Sequence, residues 1–366
     1  MKKLLFGITS LTLGGAERVL VDLANKLCNK YEITIFTIYS NGELEKQLSK
    51  KVKLRTLYNV QYKDLSSMQR RIIPLKILLN KKQIYNKYIK QDYDIEIAFL
   101  EGPITRLFSV KNKKTRKIAW VHNDISLVFG ENFKSKLKRI IDKKIYSKYE
   151  TLIFVSKDNM MKFKEIYKDD IKKEVIYNYI DKDVVIDKSN KECDIQFNKS
   201  NVNFITVARL VPQKAIDRLI NVHAKLIKNN IKHEFYVIGD GPEREKLENM
   251  IIEANVQNTF HLLGKKENPY PYIKNADYFC LLSNFEGYGM VLEEAKILGK
   301  PIIITDTAAR EAVSEYKNSV IVENTEIGIY NELEKVILNN QNIKNDEKIE
   351  YDNINIIEKI EKLVGE

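Results

Sequence analysis

The chain has 366 residues, 44% of them hydrophobic and 30% charged, with a net charge of +11. That length implies two domains of about 150–200 residues, and the composition is globular rather than fibrous or disordered. Cys28, Cys193 and Cys280 are far apart and odd in number, and neither they nor the four histidines show ligand spacing; no disulfide framework and no metal site is expected, and a reducing cytoplasm is implied.

Met1-Lys2-Lys3 before Leu4-Leu5-Phe6 has the opening of a leader peptide, but Thr9, Ser10 and Thr12 break the apolar run, so a first buried strand over 3–9 is predicted. No stretch reaches the roughly 18 apolar residues of a membrane span. Leu13-Gly14-Gly15-Ala16-Glu17-Arg18 then opens a helical pattern over 16–29, with Val19, Leu20, Leu23, Ala24 and Leu27 on one stripe. Gly14 and Gly15 allow close backbone approach and leave N–H donors at the positive end of a helix dipole, although a Gly-Gly pair alone is weak evidence. Further strands are predicted over 32–39, 53–57, 95–100, 116–122, 151–156 and 174–177. The strand 116–122 ends in His122. A lone histidine is more often structural, but a strand's carboxyl end is where sheets of this kind bind ligands. Asp124 beside it either sets its tautomer or is an ordinary turn residue.

The polar segment 181–201 reads as a linker between a domain over 1–180 and a second over 202–340. Strands are predicted there over 203–208, 234–239, 260–263, 277–282, 301–305 and 319–322, with helices over 216–229, 243–254 and 288–298 between them. Strand–helix alternation in both halves gives two parallel sheets, each wrapped by helices and each binding at its strands' carboxyl ends. The last segment, 341–366, carries Ile354, Ile357, Ile360 and Leu363 on one face and is expected to pack as a helix against the first domain.

Several strand ends of the second half carry chemistry. Arg209 and Lys214 bracket a turn, where a forked guanidinium and a compact ammonium can hold a diphosphate. Gly239-Asp240-Gly241-Pro242 reads most simply as a tight turn with proline at the first helical position. Leu263-Gly264-Lys265 is another strand-end loop. The run Tyr278-Phe279-Cys280-Leu281-Leu282 reads as a buried strand, and Gly287 and Gly289 lead from it into a helix. The N–H groups near Tyr288, Gly289, Met290 and Val291 suit a phosphate. Glu286 in the loop and Glu294 on the helix stand eight positions apart, about 12 Å along the axis at 1.5 Å per residue, comparable to the span from the hydroxyls of a sugar to the ribose of a nucleotide sugar. Taken alone, Glu294 is equally readable as a solvated helix residue.

Glu286-Gly287-Tyr288-Gly289-Met290-Val291-Leu292-Glu293-Glu294-Ala295, followed by Leu298-Gly299-Lys300-Pro301, resembles the Glu-X7-Glu signature of retaining glycosyltransferases of family 4. Ala208-Arg209-Leu210 through Lys214-Ala215 resembles that family's Gly-Arg-Leu-x-x-x-Lys-Gly segment, with alanines in place of both glycines. Asn178-Tyr179-Ile180-Asp181 departs from the family's usual Asn-Pro or Asn-Gly before the aspartate. The resemblance implies a GT-B fold: two doubly wound, Rossmann-like domains, the first binding acceptor and the second nucleotide sugar. It implies that Arg209 and Lys214 bind the donor diphosphate, Glu286 the sugar hydroxyls and Glu294 the ribose. Gly14 and Gly15 would face phosphate and acceptor, His122 would contact the donor sugar near its anomeric carbon, and Gly239, Leu263 and Gly264 would line the donor site. His122, Glu286, Arg209 and Lys214 are thus the catalytic candidates, acting in a metal-independent front-face transfer in which the leaving phosphate helps deprotonate the acceptor. No cofactor is implied. The donor is expected to be a UDP-sugar in preference to a GDP-sugar, and the acceptor a glycan or polyprenyl-linked sugar of the cell surface.

Charge adds a location. Residues 1–180 hold 37 Lys and Arg against 19 Asp and Glu, a net +18, whereas the remainder is −7. Basic density peaks at Arg70-Arg71, Lys76 and Lys81-Lys82, from Lys111 to Lys117, and from Lys134 to Lys148. No nucleic-acid module accompanies it. The apolar–basic mixture Ile72-Ile73-Pro74-Leu75-Lys76-Ile77-Leu78-Leu79 suits an anionic leaflet, so a cytoplasmic protein peripheral on the inner membrane face is expected. A lysine-rich surface without function is the plain reading, and a basic membrane- or polyanion-binding protein on a GT-B scaffold, without transferase activity, is the alternative.

Overall fold

Short apolar runs rich in Ile, Val and Phe become fully buried when helices cover both faces of a parallel sheet, and each half of this chain is built that way. The computed structural model describes residues 1–89, 93–123, 133–339 and 353–365. It divides into two units, Met1–Ile180 with Ile354–Glu366, and Asp181–Asn353.

In the first unit, β1 (Lys3–Ile8), β2 (Glu32–Tyr39), β3 (Lys53–Tyr58), β4 (Ile95–Ala98), β5 (Arg116–Val121), β6 (Thr151–Phe154) and β7 (Lys172–Val175) form a parallel sheet in the order β3-β2-β1-β4-β5-β6-β7. In the second, β8 (Val202–Val207), β9 (His233–Ile238), β10 (Phe260–Gly264), β11 (Tyr278–Leu281), β12 (Ile302–Thr305) and β13 (Ser319–Val322) follow the order β10-β9-β8-β11-β12-β13. All thirteen predicted strands are present, their ends moved by at most two residues. Strand order reverses between β1 and β4 and again between β8 and β11, which fixes where each sheet opens a crevice.

The first core joins Leu5, Phe36, Ile38, Leu152 and Phe154 to Tyr146, Phe163 and Tyr167; the second joins Phe204, Phe235, Phe260 and Cys280 to Leu219, Ile220 and Leu226. Cys28, Cys193 and Cys280 are free. One charged pair lies inside the first sheet. Glu96 on β4 and Lys117 on β5 stand directly opposite in register, 2.5 Å apart and almost wholly buried. Lys117 also donates to the carbonyl of Phe108 at 2.8 Å, and the Tyr85 hydroxyl donates to Glu96.

Two expectations change. The segment 181–201 is not wholly linker, since it carries a helix, Lys182–Ser189, started by Asp181 accepting from the N–H groups of Asp183 and Val184 and belonging to the second unit. Of 341–366, residues 353–365 are described, and the helix Asn353–Gly365 packs on the first unit through Ile356, Ile360, Leu363 and Val364. Ile357 is only half-buried, so the buried stripe is rotated from the expected one; the Ile354 side chain lies outside the described residues. Lys2 donates to the carbonyls of Val364 and Gly365, and Arg116 to that of Leu363, placing cations on the unpaired carbonyls of the helix's C-terminus.

A buried histidine relay ties the helix Ile216–Lys228 to β9. His233 Nδ1 donates to the Ile231 carbonyl at 2.9 Å, so its Nε2 accepts from His223 Nδ1 at 2.8 Å, and His223 Nε2 accepts from the Thr259 hydroxyl at 2.9 Å. This is the pattern of two neutral rings, whose charged forms burial disfavours. Burial pushes His223 down to about 2 and also lowers His233. Because these folded-state values lie below the unfolded value of about 6.5, stability is unaffected above that pH and falls as pH drops below it, by about 1.4 kcal/mol per unit for each excluded proton. At pH 5 the urea midpoint of the second unit should be well below that at pH 7.5, while nitrogen-15 spectra still show both rings as neutral tautomers. Imidazolium signals from either ring in folded protein at pH 5 would refute the relay.

Candidate active site

The loops after β8 and β11 leave adjacent strands at the reversal of the second sheet. The first begins at Ala208, whose N–H prolongs the ladder to the Ile238 carbonyl at 2.9 Å. It turns through a short helical segment, Pro212–Lys214, and ends at Ala215, held at φ 50° and ψ 39° and buried. A left-handed alanine costs about 1–2 kcal/mol. The methyl of Ala208 meets no such demand, but that of Ala215 occupies a conformation glycine adopts freely.

The second loop is fastened to the first at four points. Asn284 N–H donates to the Gln213 carbonyl at 2.9 Å, Gln213 Nε2 to the Phe285 carbonyl at 3.0 Å, and Asn284 Nδ2 to the Pro212 carbonyl at 3.1 Å. The fourth is an ion pair between Lys214 Nζ and Glu286 Oε1, to which Ser283 Oγ also donates at 2.6 Å. Glu286 is 8% exposed. The Arg218 guanidinium and the Thr305 hydroxyl hold the carbonyls of Leu282 and Ser283 at 2.8 and 2.7 Å. Arg209 is exposed and has no ion-pair partner among the described residues.

Gly287 is open around its Cα, whereas Gly289 at φ 76° caps the helix Met290–Ile297, against Leu281 and Leu292. The helix begins only at Met290, so the rise of 1.5 Å per residue applies to 290–294 alone. Tyr288, Met290 and Val291 fall at this junction, as predicted from sequence. Glu294 is not a solvated helix residue: it is 8% exposed and accepts from the Tyr270 hydroxyl at 2.9 Å. Its neighbour Glu293 is buried as well, taking the Tyr288 hydroxyl at 2.7 Å and Lys296 at 2.8 Å.

The turn after β9 is more than punctuation. A Cβ on Gly239, at φ 142°, would lie 1.8 Å from the Ala208 carbonyl oxygen, and one on Gly241 2.3 Å from that of Leu210. Both glycines let this turn press against the loop carrying Arg209. Pro242 does not open the helix, which starts at Arg244. Gly264, at φ 70°, ends β10 where the register shifts past Leu262, with Leu263 as the irregular residue, and its carbonyl accepts from the Gly239 N–H at 2.9 Å.

The first unit presents its own residues at the carboxyl ends of β1 and β5. Gly14 precedes the helix Gly15–Leu27, and a Cβ there would meet a Glu17 carboxylate oxygen at 2.1 Å. Burial raises the Glu17 pKa. His122 packs on Phe99 and Trp120, with ring centroids 4.7 and 6.2 Å away. Burial pushes its pKa down to about 3, so it is a neutral imidazole; its Nε2 is buried without a partner among the described residues. Asp124 lies outside the described residues. The backbone of His122 is instead held by Glu101, which accepts from the N–H groups of His122 and Asn123 at 2.6 and 2.7 Å and from Asn123 Nδ2 at 2.9 Å. Sequence reasoning missed Glu101, Ser283, Tyr270 and Arg218. Only Glu101 left a signal, as an acid between a predicted strand and a Gly-Pro helix start.

Residues 13–184 match the family model Glycosyltransferase Family 4, and residues 187–354 match Glycosyl transferases group 1. An uncharacterised glycosyltransferase of Methanocaldococcus jannaschii is 29% identical over 57% of this chain and 52% of its own length. The Campylobacter jejuni enzyme N-acetylgalactosamine-N,N'-diacetylbacillosaminyl-diphospho-undecaprenol 4-alpha-N-acetylgalactosaminyltransferase is 27% identical over 88% of this chain and 86% of its own. Among solved structures, HepE of Anabaena in complex with UDP and glucose superposes over the whole of both chains with a TM-score of 0.76 at 16% identity, which shows the GT-B fold. These likenesses set aside the reading as a binding protein without transferase activity.

The geometry of the β9 turn is testable. Gly239→Ala should destabilise the second unit by at least about 3 kcal/mol, from a glycine-only conformation and a backbone clash together. A urea midpoint within error of wild type would show that this turn does not press on the Arg209 loop.

Proposed function

We propose that this chain, a glycosyltransferase of the GT-B fold, moves a hexose or N-acetylhexosamine from a nucleoside-diphosphate sugar to a glycan or lipid-linked acceptor, retaining anomeric configuration and using no metal. The observation that carries this reading is the fastening of Lys214 to Glu286 at the second sheet's reversal, which sets a cation and a carboxylate side by side where such sheets bind ligands. Lys214 and Arg209 take the diphosphate, and the N–H groups around Tyr288–Met290 add to them. Glu286 then turns its oxygens to the sugar hydroxyls, and Glu294, backed by Tyr270, binds the ribose. The bond from the anomeric carbon to the diphosphate breaks as the bond to the acceptor oxygen forms on the same face. The acceptor's proton passes to the departing phosphate oxygen. The chain's contribution is charge stabilisation of that diphosphate in a preformed site. His122, being neutral, serves as a hydrogen-bonding group to the sugar rather than as a general acid.

The UDP in the HepE complex favours a UDP-sugar, and the undecaprenol-linked acceptor in the name of the Campylobacter enzyme favours a lipid-linked acceptor in cell-surface glycan assembly. No helix among the described residues is long and apolar enough to cross a membrane. The reading includes reversible attachment to the anionic inner leaflet. The helix Ser67–Ile84 supports it: Met68, Ile72, Leu75 and Leu79 are 67, 45, 54 and 74% exposed at helical spacing, flanked by exposed Arg70, Arg71, Lys76 and Lys82. Lys81 is not part of this surface, since it is half-buried and donates to Ser109 Oγ at 2.9 Å. Ile140 is exposed likewise on the helix Phe133–Tyr146, beside Lys143 and Lys144.

Turnover of nucleotide sugars, assayed in chelator, should proceed with wild type and fall about 10²–10³-fold in kcat with Lys214→Ala, the loss of one contact strengthened in the transition state. Near-wild-type kcat in a folded variant would sink the diphosphate role, and a strict metal requirement would sink the metal-free mechanism.

Vesicle co-sedimentation should require anionic lipid and weaken as salt rises, because each basic residue near such a surface contributes about 1 kcal/mol over a Debye length of roughly 8 Å. Changing Arg70, Arg71, Lys76 and Lys82 to Gln should reduce binding at least tenfold. Sedimentation indifferent to lipid charge would leave this surface as composition alone.

A further inference from the structure

Among the described residues the two sheets end in four edge strands, β3 and β7 in the first unit, β10 and β13 in the second. An edge strand presents N–H and C=O groups that invite another strand, and proteins blunt it with charged side chains or an irregular register. Three of these edges are blunted. β3 carries Lys53 and Arg55, β7 carries Lys172, Lys173 and Glu174, and β10 shifts register past Leu262. The fourth is not: β13 is Ser319-Val320-Ile321-Val322, with no charge, no proline and an even register against β12. Its Ile321 side chain is 45% exposed.

Which groups face outward follows from the pairing. The N–H groups of Ile302 and Asp306 donate at 2.8 Å to the carbonyls of Asn318 and Val322, so the even-numbered residues of β13 face β12. Alternate residues of a strand direct their N–H and C=O to opposite sides. Ser319 and Ile321 therefore turn theirs to the free edge, where no backbone group among the described residues pairs with them. The next outward carbonyl, that of Glu323, is already engaged by the Thr325 N–H at 2.7 Å. The edge open to a partner is thus Ser319 and Ile321.

The flanking charges select a second copy of this chain as the occupant. Lys317 precedes the strand and Glu323 follows it, both exposed. When two β13 strands run antiparallel about a two-fold axis at Val320, Ser319 of each copy lies opposite Ile321 of the other, and both pairs exchange their main-chain hydrogen bonds. The same register sets Lys317 of each copy opposite Glu323 of the other, an attractive cross-strand pair. Moving the register by two residues in one direction brings Glu315 opposite Glu323, like charge on like. Moving it the other way calls on the Glu323 carbonyl, which Thr325 holds. A contact that uses the same patch on both copies closes at two, so no filament follows.

We propose that β13 is a self-association edge through which two copies of this chain join their second sheets, antiparallel, into one continuous sheet. The proposal is independent of the transferase reading. A strand of four residues makes a small interface, so the dimer is weak and dissociates on dilution. Sedimentation velocity of the full chain should show a monomer–dimer equilibrium that moves to monomer over about a hundredfold dilution.

Glu323→Lys, at an exposed position, sets a cation opposite Lys317 in both pairs and should weaken the dimer by about tenfold. Adding Lys317→Glu to that variant restores unlike pairs in exchanged order and should return the dimer to its wild-type strength. Val320→Cys, on the two-fold axis, should give a disulfide-linked dimer under mild oxidation, with the cross-link mapped by mass spectrometry to position 320. Residues opposite each other in a non-hydrogen-bonded pair have Cα atoms about 4.5 Å apart, within disulfide reach. A chain that stays monomeric at the highest concentration, a dimer indifferent to Glu323→Lys, a double variant no stronger than the single one, or a cross-link absent from position 320 would each overturn the pairing.

Discussion

The second unit is organised around the ion pair between Lys214 and Glu286. Two loops that follow strands far apart in sequence are held in one place by this pair and by the three hydrogen bonds around it. A buried pair of this kind gains little net stability, since desolvation offsets most of the attraction, but losing one partner leaves a costly bare charge. Its effect is therefore geometric: the two loops keep one arrangement. Ser283 adds a hydroxyl to the same carboxylate oxygen, and Arg218 and Thr305 fix the carbonyls just before it, so the loop's entry is set from the helix and strand behind it.

Backbone contact supplies the next layer. The turn after β9 can lie against the Arg209 loop only because positions 239 and 241 lack side chains. Ala215 shows the opposite situation, a side chain kept in the left-handed region. The strain there is local and is outweighed by the burial of Ile216, Leu219 and Ile220 on the helix that it starts.

In the first unit the corresponding support is carboxylate to backbone. Glu101 gathers two N–H groups and an amide after β5, and Glu17 folds into the space left by Gly14. Glu96 and Lys117 pair between neighbouring strands inside the sheet. These three acids serve internal geometry, while many basic residues of the unit remain on exposed helix faces.

What the sequence determined by itself was periodic or local. Strand after strand was legible as a short β-branched run, because a strand buried on both faces needs nothing but apolar residues, and the parallel architecture followed from the helices between them. The loops of Arg209–Lys214 and Glu286–Glu294 were legible as strand-end segments. Tertiary structure alone decided which residues meet. That Tyr270 would reach Glu294 across 24 positions, that Glu101 would hold His122, or that Lys81 would turn inward to Ser109 leaves no trace in spacing, because these contacts arise from how strands are ordered in the sheet. The same holds for the two glycines after β9, whose spacing fits a plain turn equally well; only the approach of the Ala208 and Leu210 carbonyls excludes a side chain there.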